Sequence, residues 1–229
     1  MCGPKYMMSE IESSFQSVWA QELPHILAAL TPVTGLVHDP ELCAALDELV
    51  ARRGLGIRRV VVLSADPGLE AYTVAMRLSW HWRHTPQPPF QVLGLLLCHE
   101  DLQTARRGVY PMEVLPSPVP SWLSPWITRH RRQPRVRIAP AVRFRVRFRH
   151  LPWPCAVRLR EAADLLWCCG VFEPFVSPLG GRLVLEAARV VRPGGFVITD
   201  VSLGGDCRER GLRPLAPGVY QTVHWWRVS

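Results

Sequence analysis

RVVVLSADPGLEAYTVAM, Arg59 to Met76, is the stretch whose reading decides the fold. Val60, Val61, Val62 and Leu63 form an unbroken apolar run rich in β-branched residues, the pattern of a central strand covered on both faces. Asp66, Pro67 and Gly68 then read as a turn, and a helix is predicted from Leu69. In an open α/β sheet, the crevice beyond the carboxyl end of such a strand is where nucleotide-like ligands bind, because N–H groups at the helix start face outward.

Upstream, apolar residues from Ser9 to Leu30 recur at roughly helical spacing, with Pro24 splitting the segment. Asp39 caps a second helix that carries Pro40 in its first turn and ends near Gly54. Downstream, the helix after the turn runs out by His84, and Phe90 to Leu97 reads as another apolar strand. Glu100 to Arg107 is a short helix closed by Gly108, followed by a proline-rich loop. Arg135 to Ile138 and Arg143 to Arg149 alternate arginine with apolar residues, a half-buried strand pattern that places Phe144 and Phe148 on the covered face. Ala163 to Cys169 is a third buried strand, and Gly181 to Val191 an amphipathic helix. Arg192 to Gly195 is a sharp turn, Phe196 to Asp200 a strand, and Val219 to Val228 a final strand. Strands alternating with helices predict a doubly wound, mostly parallel sheet with an antiparallel edge strand.

The 229 residues are 48% hydrophobic and 20% charged, which fits a folded domain and excludes a disordered chain. No apolar run reaches the roughly 20 residues a membrane span needs, and the amino terminus lacks a secretory pattern, so no membrane insertion and a cytoplasmic location are expected. The net charge is +8, almost all of it arginine, since Lys5 is the only lysine. Coding bias and attraction to an acidic partner both account for that excess. The seven cysteines have no regular spacing, which fits neither a disulfide framework nor a metal site.

Within the turn, Gly68 is able to take positive φ and to let a ligand approach the backbone. Asp66 is either an acceptor for a ligand amino group or a helix cap, and Glu70 either faces a cation or complements the helix dipole. No serine or cysteine pairs with a histidine in a nucleophilic signature. Arg143, Arg145, Arg147 and Arg149 are candidate contacts for an acidic protein partner, since guanidinium forks hold carboxylates bidentately. Nucleic acid ranks below protein, because the phenylalanines of that run fall on the covered face.

Taken together, these segments resemble the CheR-type chemotaxis-receptor glutamate methyltransferases, which belong to class I and use S-adenosylmethionine. Ser64-Ala65 with Gly68 to Met76 is similar to that family's SAxxSTGEEPYSLAM segment, shortened in the turn. Leu102 with Ala105 to Pro111 is similar to ALxxARxGxYP, the arginine run to Leu151 to VxFxxHNL, and Asp164 to Cys168 to DLIFC. Val190 to Phe196 is similar to LxPGGxL, common to many class I methyltransferases. The resemblance implies a class I methyltransferase-like domain over 39–229, a truncated helical segment over 1–38, and a small β-subdomain inserted around 112–148.

It also implies cofactor contacts at Ala65, Asp66, Gly68 and Glu70, together with three positions whose type has changed. Leu96 stands where the family places an acid for the ribose hydroxyls, and Cys169-Gly170 where it has Arg-Asn. In place of NETxFFR the chain has Pro32 to His38, so His38 stands in for the arginine that reaches cofactor and substrate. Three functions remain open on these residues. One is a divergent S-adenosylmethionine-dependent protein methyltransferase acting on glutamate, for instance on a receptor-like helix. Another is an inactive relative serving as a protein-interaction module, and the third a basic nucleic-acid-binding protein.

Overall fold

In the structure, a computed structural model, residues 35–36, 39–53, 56–85, 90–150, 162–172, 179–203, 207–208 and 211–223 are described. The predicted helix over Ser9 to Leu30 and the candidate His38 lie outside them. A seven-stranded sheet carries the domain. Its strands are β1 (Arg59–Ser64), β2 (Gln91–Leu96), β6 (Val146–His150), β7 (Ala163–Trp167), β8 (Val191–Ile198), β9 (Leu212–Ala216) and β10 (Val219–Thr222). The order is β6-β2-β1-β7-β8-β10-β9. The first five of these run parallel, while β10 is antiparallel to both β8 and β9. This is the doubly wound sheet with an antiparallel edge that the strand–helix alternation predicts.

The apolar run in β1 is divided by the strand's two-residue period. Val60 and Val62 join the core beneath α1 (Pro40–Arg53) and α2 (Leu69–His81). Val61 and Leu63 join the opposite core, with Leu183 and Val184 of α5 (Leu179–Ala187). Each such side chain removed from water contributes about 1.5–3 kcal/mol, and both faces draw on one strand. Asp39 caps α1 as predicted: its Oδ1 accepts from Leu42 N at 2.9 Å.

A second, three-stranded sheet of order β3-β5-β4 is inserted before β6. It consists of β3 (Val109–Pro111), β4 (Ile127–Arg129) and β5 (Arg135–Ile138), and it follows α3 (Asp101–Arg107). Gly108 closes α3 with φ 59°, the left-handed cap its position suggests.

Three expectations need correction. The Arg143 to Arg149 run is not one strand, because Pro140 starts a helical turn, α4 (Pro140–Arg143), and β6 begins only at Val146. Phe144 is therefore not covered; it is 88% exposed, and only Phe148 is buried. Arg192 to Gly195 is part of β8 and not a turn; the irregularity is taken up by a register shift against β7 between Ala163 and Leu165. Glycine at 195 has a steric cause, since a Cβ there would lie 2.7 Å from the Asp164 carbonyl oxygen. The carboxyl-terminal region forms the hairpin β9–β10 where a single strand is predicted, with Gly218 at φ 68° in its turn.

Candidate functional site

The strand order reverses at β1, with β2 on one side and β7 on the other, so the crevice beyond their carboxyl ends is the topological switch point of the sheet. Ala65, Asp66, Gly68, Glu70, Leu96, Cys169, Gly170 and Asp200 all lie at or just past the carboxyl ends of β1, β2, β7 and β8. Sequence positions spread over more than a hundred residues are thereby brought to one end of the sheet.

Asp66 organises the turn. Its Oδ1 accepts from Ser64 Oγ at 2.7 Å, from Gly68 N and from Leu69 N at 2.7 Å, while Oδ2 accepts from Glu70 N at 3.0 Å. The N–H groups that open α2 are satisfied by this carboxylate, which is 1% exposed. Of the two roles open to Asp66 in the sequence, the structure displays the cap. Burial pushes its pKa up, opposed by those same hydrogen bonds.

Gly68 sits at φ 92°, as a turn glycine should. The space its missing Cβ leaves is filled from within: a Cβ would lie 2.7 Å from Phe148 Cε1 and 2.8 Å from Ala105 Cβ. Phe148 also overlies Gly94 of β2, where a Cβ would meet its ring at 2.6 Å, and it packs edge-on against Tyr72 with centroids 5.2 Å apart. From the inserted sheet, Tyr110 donates its hydroxyl to the Pro67 carbonyl at 2.9 Å. The second sheet thus holds the site's turn, a link for which the sequence carries no local signal.

Glu70 differs from Asp66. Its side chain is buried, 5% exposed, and among the described residues neither carboxylate oxygen has a hydrogen-bond partner of good geometry. The Trp167 indole N–H favours the ionised form but makes no bond of good geometry. Burial first, then the charges of Asp66 and Asp200, raise the Glu70 pKa well above the usual carboxylate range. An unpaired buried polar group costs about 1–3 kcal/mol, so this carboxyl group is suited to a cationic ligand that would complete its bonding.

The other positions that the sequence resemblance sets in the cofactor site are closed to solvent or engaged with the chain. Leu96 is 0% exposed and packs in the core below α1 and α2. Cys169 is 1% exposed, and burial, followed by the charges of Glu70 and Asp200, pushes its thiol well up, keeping it neutral. Gly170, at φ 67°, donates its N–H to Asp200 Oδ2. Ala65 is half-buried at the end of β1. Asp200 and Trp167 were not singled out from the sequence; the signal available was the placement of each at or beyond the end of a parallel strand. Among the described residues, no cluster of three histidines, cysteines or carboxylates could hold a metal ion.

The four arginines assigned to a partner do not act as one row. Arg143, Arg147 and Arg149 line a concavity of about 520 Å³ beside β6, together with Arg106 of α3. Arg145 turns away, with its guanidinium carbon 5.1 Å from the centre of the Phe90 ring.

Comparison with solved structures finds distant likenesses. An O-methyltransferase from Bacillus cereus in complex with SAH is 16% identical, with a TM-score of 0.42, over 80% of this chain and 66% of that one. The YcgJ protein from Bacillus subtilis is 17% identical, with a TM-score of 0.36, over 68% of this chain and 49% of that one. The match therefore spans about half the length of the YcgJ chain. None of the curated proteins compared with it matches the sequence. The family described as "CheR methyltransferase, SAM binding domain" matches residues 38–202, which is most of the chain and includes every residue of the crevice, so the protein belongs to the CheR methyltransferase family.

Proposed function

We propose that this protein binds S-adenosylmethionine in the crevice at the carboxyl ends of β1, β2, β7 and β8 and directs its methyl group to a carboxylate, a glutamate side chain, of an acidic protein. The observation that carries this reading is the buried carboxylate of Glu70, which among the described residues has no hydrogen-bond partner. Glu70 would hold the ammonium group of the cofactor's methionine moiety, whose charge and donors would complete its bonding. The rest of the crevice fits less evenly, because Leu96 offers no acceptor to a ribose hydroxyl.

When bound, the cofactor supplies an activated methyl group on a sulfonium centre. The chain's own part is to orient and to exclude water. Asp66 fixes the start of α2 and so the direction of Glu70, while Asp200 holds the Gly170 loop. Such a transfer depends on alignment of carboxylate oxygen with the methyl carbon, which is a matter of positioning more than of acid or base chemistry. The arginines beside β6 favour a negatively charged acceptor protein.

The burial of Leu96 favours a second reading, in which the cofactor binds weakly and the domain serves chiefly to hold a partner. Calorimetric titration with S-adenosylmethionine separates the two. Micromolar saturable binding, with transfer of labelled methyl to an acidic protein and its release as methanol in mild alkali, is expected for the first. Label that survives alkali would rule out a carboxylate ester, and the absence of binding would leave the partner-holding role.

A further inference from the structure

We propose that the concavity along the outer edge of β6 is a docking groove for an extended, acidic segment of a protein partner, which joins the seven-stranded sheet as an added strand. This deepens the acidic-acceptor reading above and rests on it for the partner's charge.

Among the described residues, the outer edge of β6 is open. Val146, Arg147, Phe148 and Arg149 are consecutive residues of β6, and all four line the same concavity. Side chains alternate between the two faces of a strand, so four neighbours share one hollow only where it runs along the strand's edge. Among the described residues, β6 pairs with β2 alone. The direction of its backbone groups follows from the Arg145 carbonyl, which accepts from Val92 N of β2 at 2.8 Å. By alternation the groups of Arg147 and Arg149 also face β2, and those of Val146, Phe148 and His150 face outward. The Phe148 carbonyl is met from outside by Arg106 Nη2 at 3.5 Å, in agreement with that direction.

Charge then selects the occupant. Arg147 and Arg149 are exposed, and among the described residues neither meets a carboxylate. They stand two positions apart, about 6.6 Å along the strand, which is the repeat of same-face side chains on an added strand. Arginine on an edge strand repels basic strands and is costly to desolvate beneath neutral ones, and so guards against indiscriminate pairing. The same arginines welcome a strand carrying Glu or Asp at alternate positions, each carboxylate facing a guanidinium fork. Phe144, 88% exposed, adds an apolar contact in the lining. A nucleic acid would meet the charge but leave the backbone edge unused. It would also find one exposed ring where single-strand binders stack several bases, since Tyr72 and Phe148 are buried.

The test is fluorescence anisotropy of the whole protein with a labelled hexapeptide of alternating glutamate and valine. Saturable binding is expected, weakened about tenfold or more by Arg147→Glu with Arg149→Glu, in a variant whose thermal melt matches the parent. The same peptide N-methylated at alternate amides, with its charge intact, should lose a comparable factor. N-methylated peptide binding as tightly as the parent overturns strand addition, and no binding of either peptide at low salt overturns the groove. Tighter binding of oligothymidylate, insensitive to the double substitution, would assign the charge to nucleic acid elsewhere and refute the proposal. S-adenosylmethionine is titrated in parallel. Peptide binding without cofactor binding upholds the groove while refuting methyl transfer, and the reverse result refutes the groove alone.

Discussion

Replacing Glu70 by glutamine keeps the shape of the side chain and removes its ability to ionise, so it isolates the charge on which the cofactor reading rests. In the folded protein, burial and the neighbouring Asp66 and Asp200 raise the Glu70 pKa well above the usual carboxylate range. The folded chain therefore holds a proton that the unfolded chain has released. The stability Glu70 contributes is fully present below the unfolded pKa and is lost as pH rises through the folded one. Glutamine carries no such dependence. The melting temperature of Glu70→Gln should accordingly rise relative to the parent as pH is raised above the usual carboxylate range. Cofactor binding should change in the opposite sense. A hydrogen bond to a charged group contributes about 1.5–3 kcal/mol, so affinity for S-adenosylmethionine should fall about 10- to 150-fold. The parent must lose the Glu70 proton when the ammonium group binds, and its calorimetric enthalpy should differ between phosphate and Tris buffers by more than that of the variant. Melting curves whose pH dependence superimposes, with affinities within about twofold, would refute the assignment of Glu70 to a cation.

Other perturbations probe the frame around that carboxyl group. Asp66→Ala removes the acceptor for three N–H groups at the start of α2 and for Ser64 Oγ; denaturant unfolding should show a loss of about 2–3 kcal/mol. Gly94→Ala drives a Cβ to 2.6 Å from the Phe148 ring, and a stability loss of about 1–3 kcal/mol is expected in the same assay. The Asp164 carboxyl group is pushed up by burial, but the N–H groups of Arg59 and Arg58 and the Arg192 ion pair outweigh this and hold it below the usual range. Its contribution is present above the unfolded pKa and lost as pH falls through the folded one, so Asp164→Asn should flatten the acid limb of stability against pH. Leu96→Asp buries a carboxylate in an apolar core and should lower the melting temperature of the free protein, with S-adenosylmethionine restoring part of it if the ribose reaches that position.

The fold was legible because its signals are local. The β-branched run at Val60 to Leu63, the capping residues Asp39 and Gly108, and the turn at Asp66 to Gly68 are each read within a few neighbours, and the structure places them as read. The run at Arg143 to Arg149 was misread because arginine alternating with apolar residues satisfies a strand's period while Pro140 nucleates a helical turn that ends at Arg143. That error carried Phe144 to the wrong face. The site was legible only in part. Glu70 was found through its place in the turn, whereas Asp200, Trp167 and the Tyr110 hydroxyl act at the site through strands that meet it from far along the chain.

The crevice is divided in a way that bears on how the proposed cofactor would be held. At the β1 end, the acid that would face a cofactor ammonium is present, buried and unpaired, and a carboxyl group held in that state is a standing cost. At the β2 end, Leu96, which the sequence resemblance sets at the ribose position, has no exposure and adds apolar packing where an acceptor would be needed. A chain relieved of all cofactor binding would gain by neutralising Glu70 as well, since glutamine or leucine there would remove the cost. Glu70 remains a buried acid while Leu96 fills its end of the crevice. That asymmetry favours a ligand still gripped by its charged end, with its sugar held more loosely than in a site that keeps both acids.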